Sequence, residues 1–231
     1  MSKSIAIIQS NYIPWKGYFD FIRIVDEIIL FDDVQYTRRD WRNRNKIKTS
    51  QGLQWLTIPV EVKGKFFQKI RDTKIEDPNW NMKHWCTIRQ NYAQARYYHD
   101  YRDFIEELYR TATQSYLSEV NFHFLAAFCQ LLGIQTRITW SMDYGVIEGK
   151  TERLVDLCKK AGATAYLSGP SAKNYIDESL FDDAGITLSY MDYSDYQEYE
   201  QLFPPFDHAV SIIDLLFNTG PDAPKYLKGF Q

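Results

Sequence analysis

The chain has 231 residues, 45% of them hydrophobic and 25% charged, an ordinary globular balance that suits one domain or one domain with an elaborated lobe. Net charge is −3, so the basic footprint of a general nucleic-acid binder is missing. No run approaches the length of a membrane helix and the N-terminus does not read as a secretion signal, so a cytoplasmic protein without a membrane span is expected.

Ile5 to Ile8 is a short apolar run that reads as a buried strand. The chain then turns at Asn11 and Pro14 into an amphipathic stretch, 17–25, and a second apolar run, 28–31, ends in Asp32 and Asp33. Strand, turn into helix and strand form a βαβ unit. Residues 45–48 and 54–60 flank Ser50-Gln51-Gly52, a glycine-containing hairpin turn, and 68–75 alternates weakly, as a third strand of the same arm would. Helices are predicted over 79–92, 100–116 and 118–132, the last with Ser118 as N-cap and Gly133 just past its end. The α/β rhythm returns with strands at 136–140, 165–167 and 187–190, helices at 150–160 and 175–184, and an apolar terminal helix at 211–217. The expected fold is a Rossmann-like parallel sheet of about five strands. It forms a single α/β domain over 1–231, with a hairpin arm inserted at 38–76 and a helical segment at 77–133.

In such sheets ligands bind beyond the C-terminal ends of the strands, and the sequence clusters that carry chemistry fall there or beside it. Gln9, Asn11, Tyr12, Trp15, Gly17 and Tyr18 are candidate ligand contacts where a strand feeds a helix whose first turn favours anions; an ordinary βα turn punctuated by Pro14 fits as well. Asp32 and Asp33, followed by Gln35 and Tyr36, are adjacent carboxylates after a buried strand. They suit a general base, a Mg²⁺ ligand beside a phosphate, a partner for a nearby arginine, or a plain turn cap. Residues 38–48 carry six Arg or Lys against one Asp. There Arg38, Arg42 and Arg44 suit phosphate or carboxylate, Trp41 a stacked ring, and Asn43 and Asn45 hydrogen bonds, with a solvated basic arm as the bland alternative. Ser168, Gly169, Ser171 and Lys173 form a hydroxyl-bearing turn before a helix, a phosphate cradle that lacks the glycine spacing of a Walker A loop; Ser171 as a simple N-cap is the alternative.

Three widely spaced cysteines, Cys86, Cys129 and Cys158, fit no zinc or redox pattern and read as buried thiols. His84 and His123 read as core residues, and His208 approaches the site from the C-terminal segment. No histidine pair has metal-ligand spacing, so no metal centre of protein ligands is expected.

The blocks Asn11-Tyr12-Ile13-Pro14-Trp15-Lys16-Gly17-Tyr18-Phe19-Asp20, Asp32-Asp33-Val34-Gln35-Tyr36 and Trp41-Arg42-Asn43-Arg44-Asn45 resemble the bacterial WbqC-like family. So do Trp55-Leu56-Thr57-Ile58-Pro59-Val60, Tyr166-Leu167-Ser168-Gly169-Pro170-Ser171 and Ser211-Ile212-Ile213-Asp214-Leu215-Leu216-Phe217-Asn218. The resemblance implies an association with surface-polysaccharide and amino-sugar synthesis. A remoter likeness is to the first βα turn of nucleotidyltransferase/HUP-like enzymes, where Trp15-Lys16-Gly17-Tyr18 stands in place of His-x-Gly-His, with the glycine kept and both histidines lost. Together these imply a transferase or ligase acting on a nucleotide-linked amino sugar or activated group in O-antigen-type glycan synthesis. An anionic small molecule would be the partner, a nucleotide or Mg²⁺ the cofactor to test, and Asp32, Asp33 and Lys173 the catalytic candidates. The alternative is a non-catalytic binding or assembly protein on a degenerate nucleotidyltransferase-like scaffold; a homo-oligomer is compatible with either.

Overall fold

The computed structural model describes residues 2–145 and 147–228. Five parallel strands form the central sheet: β1 (Ser4–Ile8), β2 (Glu27–Leu30), β5 (Arg137–Trp140), β6 (Ala165–Ser168) and β7 (Thr187–Tyr190), in the order β5-β2-β1-β6-β7. The first strand made is therefore the central one. Its register pairs Ile5 with Glu27 on one side and with Tyr166 on the other. Strand alternation splits the apolar residues between two cores. Ala6, Ile28 and Leu30 join the larger core, while Ile5, Ile7 and Ile29 join the smaller one.

The smaller core is closed by α5 (Thr151–Lys160) and the short α6 (Ser179–Asp183), through Leu154, Leu157, Cys158 and Phe181. The larger core takes α1 (Lys16–Arg23), α2 (Trp80–Tyr92), α3 (Tyr98–Arg110), α4 (Leu117–Leu131) and α7 (Ile212–Thr219), and is rich in rings such as Trp80, Trp85, Tyr109 and Phe124. A separate hairpin, β3 (Arg44–Thr49) with β4 (Gly52–Thr57), turns at Ser50 and Gln51 and sets Thr49 opposite Gly52. Deep in this core the Tyr12 hydroxyl lies 2.9 Å from His84 Nδ1 and 2.7 Å from the Tyr109 hydroxyl, while His84 Nε2 lies 3.2 Å from Thr57 O. The carbonyl requires a proton on Nε2, so Tyr12 donates to Nδ1 and accepts from Tyr109.

Several expectations need correction. Residues 68–75 form no third strand: they hold a 3₁₀ turn, Ile70–Asp72, and single bridges, Gln35 to Lys69 and Val60 to Ile75. Their amides are spent on the exit of β2, with Ile70 N donating to Val34 O and Arg71 N to Asp32 O, which leaves no continuous ladder. The helix expected over 175–184 is only Ser179–Asp183, because Pro170–Asn174 winds as a 3₁₀ turn and Asp177 restarts the chain by accepting from Ser179 N. Ser118 lies inside α4 rather than capping it; its hydroxyl donates to Asp32 instead. Cys129 and Cys158 are buried and their thiols are pushed up to about 12 by desolvation, but Cys86 is exposed on α2. Among the described residues no helix is long and apolar enough to cross a membrane, and no group of three or more His, Cys, Asp or Glu is placed to hold a metal.

Candidate functional site

Chain order along the sheet reverses between β1 and β6, where α/β sheets bind their ligands. A cavity of about 750 Å³ opens there. It is floored by Ile7, Ile8 and Gln9 at the end of β1 and by Tyr166, Ser168 and Gly169 at the end of β6, and walled by Phe31, Ser171 and Tyr175. Its charged lining is Arg42, Lys150 and Arg153; no described carboxylate lines it. The helix that starts at this cavity is α5, whose N-cap Lys150 and first-turn Arg153 both face it. Free backbone N–H groups at a helix start favour anions; two cations stand on that turn, together with Glu152, whose carboxylate accepts from Lys150 N at 3.0 Å. Arg153 donates through Nε to Gly149 O, and its guanidinium lies 5.8 Å from the centre of the Phe31 ring. Arg42 reaches the cavity from the start of the hairpin arm. Its Nη1 donates to Asn11 Oδ1, its Nη2 lies 3.4 Å from Asp40 Oδ2, and Asn121 Nδ2 donates to its carbonyl at 2.9 Å.

The structure thus gathers Gln9, Arg42, Ser168, Gly169 and Ser171 of the expected contacts around one cavity. Tyr18 supports it from below, its hydroxyl donating to Gln9 O at 2.9 Å. Lys150 and Arg153 were missed by the sequence reading; a basic pair opening a helix after Gly149 was the available signal.

The two aspartates part company. Asp32 is fully buried and accepts from Ser10 N at 2.9 Å, Ser10 Oγ at 2.7 Å and Ser118 Oγ. Burial raises its pKa and those three donors pull it back. It clips the exits of β1 and β2 to α4 and does not line the cavity. Asp33 lies at an adjoining cavity of about 480 Å³, beside Lys69, Arg71 and Arg153. It pairs with Arg71 at 2.8 Å and Lys69 at 3.4 Å and accepts from Ser141 Oγ at 3.3 Å. Asp33 and Ser168 stand on the same edge of the sheet, as parallel strands require, and Arg153 lines both cavities.

The arm is divided as well. Asn11, Trp15, Trp41, Asn45 and His208 line a separate cavity of about 360 Å³. Arg44 does not face the switch point: its guanidinium stacks 4.0 Å from the Trp55 ring centre and donates to Arg39 O. Arg38 donates to Val62 O at 2.7 Å and Asn43 to Ile58 O at 2.8 Å, both within the arm, and Gln35 donates to Phe66 O of the arm at 2.8 Å. Tyr12 and Tyr36 are core residues, and exposed Lys173 lies 4.9 Å over the Tyr190 ring, outside the cavity lining. Gly17 has a steric role. A Cβ there would come within 2.3 Å of the Trp15 ring, so glycine lets the indole cover the first turn of α1 where an anion was expected.

Fold and site define a Rossmann-like α/β protein with a cationic cavity at the switch point of its sheet. The chain belongs to the WbqC-like protein family, which it matches over residues 9–226. It is similar to Uncharacterized protein Rv1507c of Mycobacterium tuberculosis, 53% identical over 226 residues that cover 98% of each chain. No solved structure matches it.

Proposed function

We propose that the protein is a transferase or ligase of bacterial surface-glycan synthesis that holds a nucleotide-linked amino sugar, or a related activated group, by its phosphates at the switch point. One observation carries the reading: three cationic side chains and, among the described residues, no carboxylate line a cavity beyond the C-terminal ends of parallel strands. Lys150, Arg153 and the start of α5 receive the phosphates, Arg42 closes the opposite wall, and the Ser168 and Ser171 hydroxyls supply hydrogen bonds. Phe31 and Tyr175 offer ring faces to a base. Catalysis on this plan rests on positioning and fixed positive charge, with Asp33 and Glu148 lining the adjoining cavity that shares Arg153. Turnover of a nucleotide-linked amino sugar, in the presence of ATP or an acyl-CoA donor, tests the proposal. Loss of turnover in Arg153→Ala with the fold retained supports it.

A specific observation favours a second reading, a binding protein without turnover. Neither aspartate lines the cavity: Asp32 is saturated by buried donors, and Asp33 is held by Lys69 and Arg71. Micromolar binding of the nucleotide sugar without turnover under any donor would select that reading.

A further inference from the structure

The second cavity, of about 360 Å³, lies on the other side of the Arg42–Asn11 hydrogen bond from the cationic one. Three chain segments build it: the loop at 11–15, the start of the hairpin at 41–45 and the C-terminal stretch at 208–209. They are sewn together by backbone bonds, Tyr12 N to Trp41 O at 3.1 Å, Ser211 N to Lys46 O at 2.9 Å and Ile212 N to Pro14 O at 2.9 Å. The loop is held in an unusual shape, with buried Ile13 at φ 36°. A β-branched residue resists the left-handed region, and here Asn45 Nδ2 pins it by donating to Ile13 O at 2.9 Å.

The lining differs in kind from that of the cationic cavity. Two indoles, Trp15 and Trp41, supply apolar faces, and Asn11, Asn45 and His208 supply polar edges; no described residue lining it carries a permanent charge. Trp15 is backed by Tyr193 at 5.4 Å and Tyr196 at 5.4 Å between ring centres, and Trp41 by Trp55 at 5.3 Å. His208 is wedged against Phe206, ring centres 4.5 Å apart. Burial and the nearby Lys16 ammonium lower its pKa, which keeps its edge of the wall uncharged near neutral pH. Rigid ring faces rimmed by amide groups fit a compact, neutral ligand with an apolar face and hydroxyl edges. The size falls within the range of small-molecule sites, about 300–1,000 Å³.

We propose that this cavity is the acceptor subsite, and that it takes an uncharged pyranose ring stacked on Trp41. The proposal rests on the reading of the first cavity as the seat of the nucleotide-linked donor. The Arg42–Asn11 pair would then stand between donor phosphates and acceptor sugar, touching the rim of each.

Free N-acetylglucosamine and UDP are the probes, measured separately and together on the full chain by saturation-transfer NMR and calorimetry. N-acetylglucosamine is expected to bind in the millimolar range with an affinity unchanged by saturating UDP. Trp41→Ala should weaken the sugar about tenfold, which is about 1.4 kcal/mol, and leave UDP within twofold. Ala209→Trp, which fills the mouth from an exposed position without removing a wall, should abolish sugar binding and spare UDP. No sugar binding to the parent chain, competition between sugar and UDP, or sugar binding that survives Ala209→Trp would each overturn the subsite. Failure of UDP alone to bind strikes the reading of the first cavity, whereas the sugar titration reports on the second by itself.

Discussion

Removing the Asp32 carboxylate tests the separation of the aspartate pair most directly. In Asp32→Ala the Ser10 amide loses its acceptor, and the hydroxyls of Ser10 and Ser118 lose theirs, all inside the protein. An unsatisfied buried donor costs about 1–3 kcal/mol. The hydroxyls can rotate toward other acceptors but the amide cannot, so the three losses do not add in full. With one buried amide and up to two buried hydroxyls left short of an acceptor, the expected loss is about 2–4 kcal/mol. That is a substantial share of an ordinary total stability of about 5–15 kcal/mol. Asp32→Asn keeps one oxygen for the Ser10 amide and should lose about half as much. Asp33→Asn faces partners that are 39–45% exposed on its two ion pairs, so screening leaves it below about 1 kcal/mol. Urea unfolding followed by tryptophan fluorescence and far-UV circular dichroism, with the slope on denaturant unchanged, reads these differences. The reasoning fails if Asp32→Ala stays within about 1 kcal/mol of the parent chain, or if Asp33→Asn loses as much.

Other outcomes are expected. Asp33→Asn should fold normally and lower turnover of the nucleotide-linked substrate, and full activity would remove it from the reaction. Arg42→Ala and Arg153→Ala should each weaken UDP by about 10- to 100-fold, the worth of a charge-assisted contact of roughly 1.5–3 kcal/mol, while Arg44→Ala, stacked on Trp55, should change it less than threefold by calorimetry. His84 is neutral in the fold, its pKa lowered to about 4 by burial against an ordinary 6.5. The unfolded chain therefore binds the extra proton between those values, and stability falls as pH drops from about 6.5 to 4, by up to about 3 kcal/mol. His84→Gln should flatten that part of the pH profile relative to the parent, and parallel profiles would refute the assignment. Gly17→Ala should displace the Trp15 ring, seen as a shift in tryptophan emission and a stability loss of about 1–3 kcal/mol; an unchanged spectrum and midpoint would contradict the contact.

The sheet was legible because its strands are short apolar runs: Ile5 to Ile8 and Ile28 to Leu30 could hardly be anything but buried. The hairpin was legible through Gly52, which takes φ 102° at the turn. The roles of Asp32 and Asp33 were not, since the residues that distinguish them are Ser10, Ser118, Lys69 and Arg71, far apart in the chain and ordinary in composition. The basic arm misled in a similar way. Its charge is conspicuous in sequence, yet Arg38 and Arg44 are spent on carbonyls and an indole of the arm itself, and only Arg42 reaches the switch point. Lys150 and Arg153 escaped notice because, on an amphipathic helix, they look like any solvated face; only the position of α5 across the sheet brings them to the cavity.

That the first strand made is also the central one bears on how the chain is synthesised. As the polypeptide leaves the ribosome, Ser4–Ile8 can pair with Glu27–Leu30 early, but its other edge waits for Ala165–Ser168, some 160 residues later. During that interval an apolar strand offers an unpaired row of backbone donors and acceptors to any neighbour, which is the condition for edge-to-edge aggregation. A chain stopped just before residue 165 lacks β6, β7 and the α7 share of the larger core and should therefore collect in the insoluble fraction, and supplying the missing 165–228 segment in trans should rescue part of it.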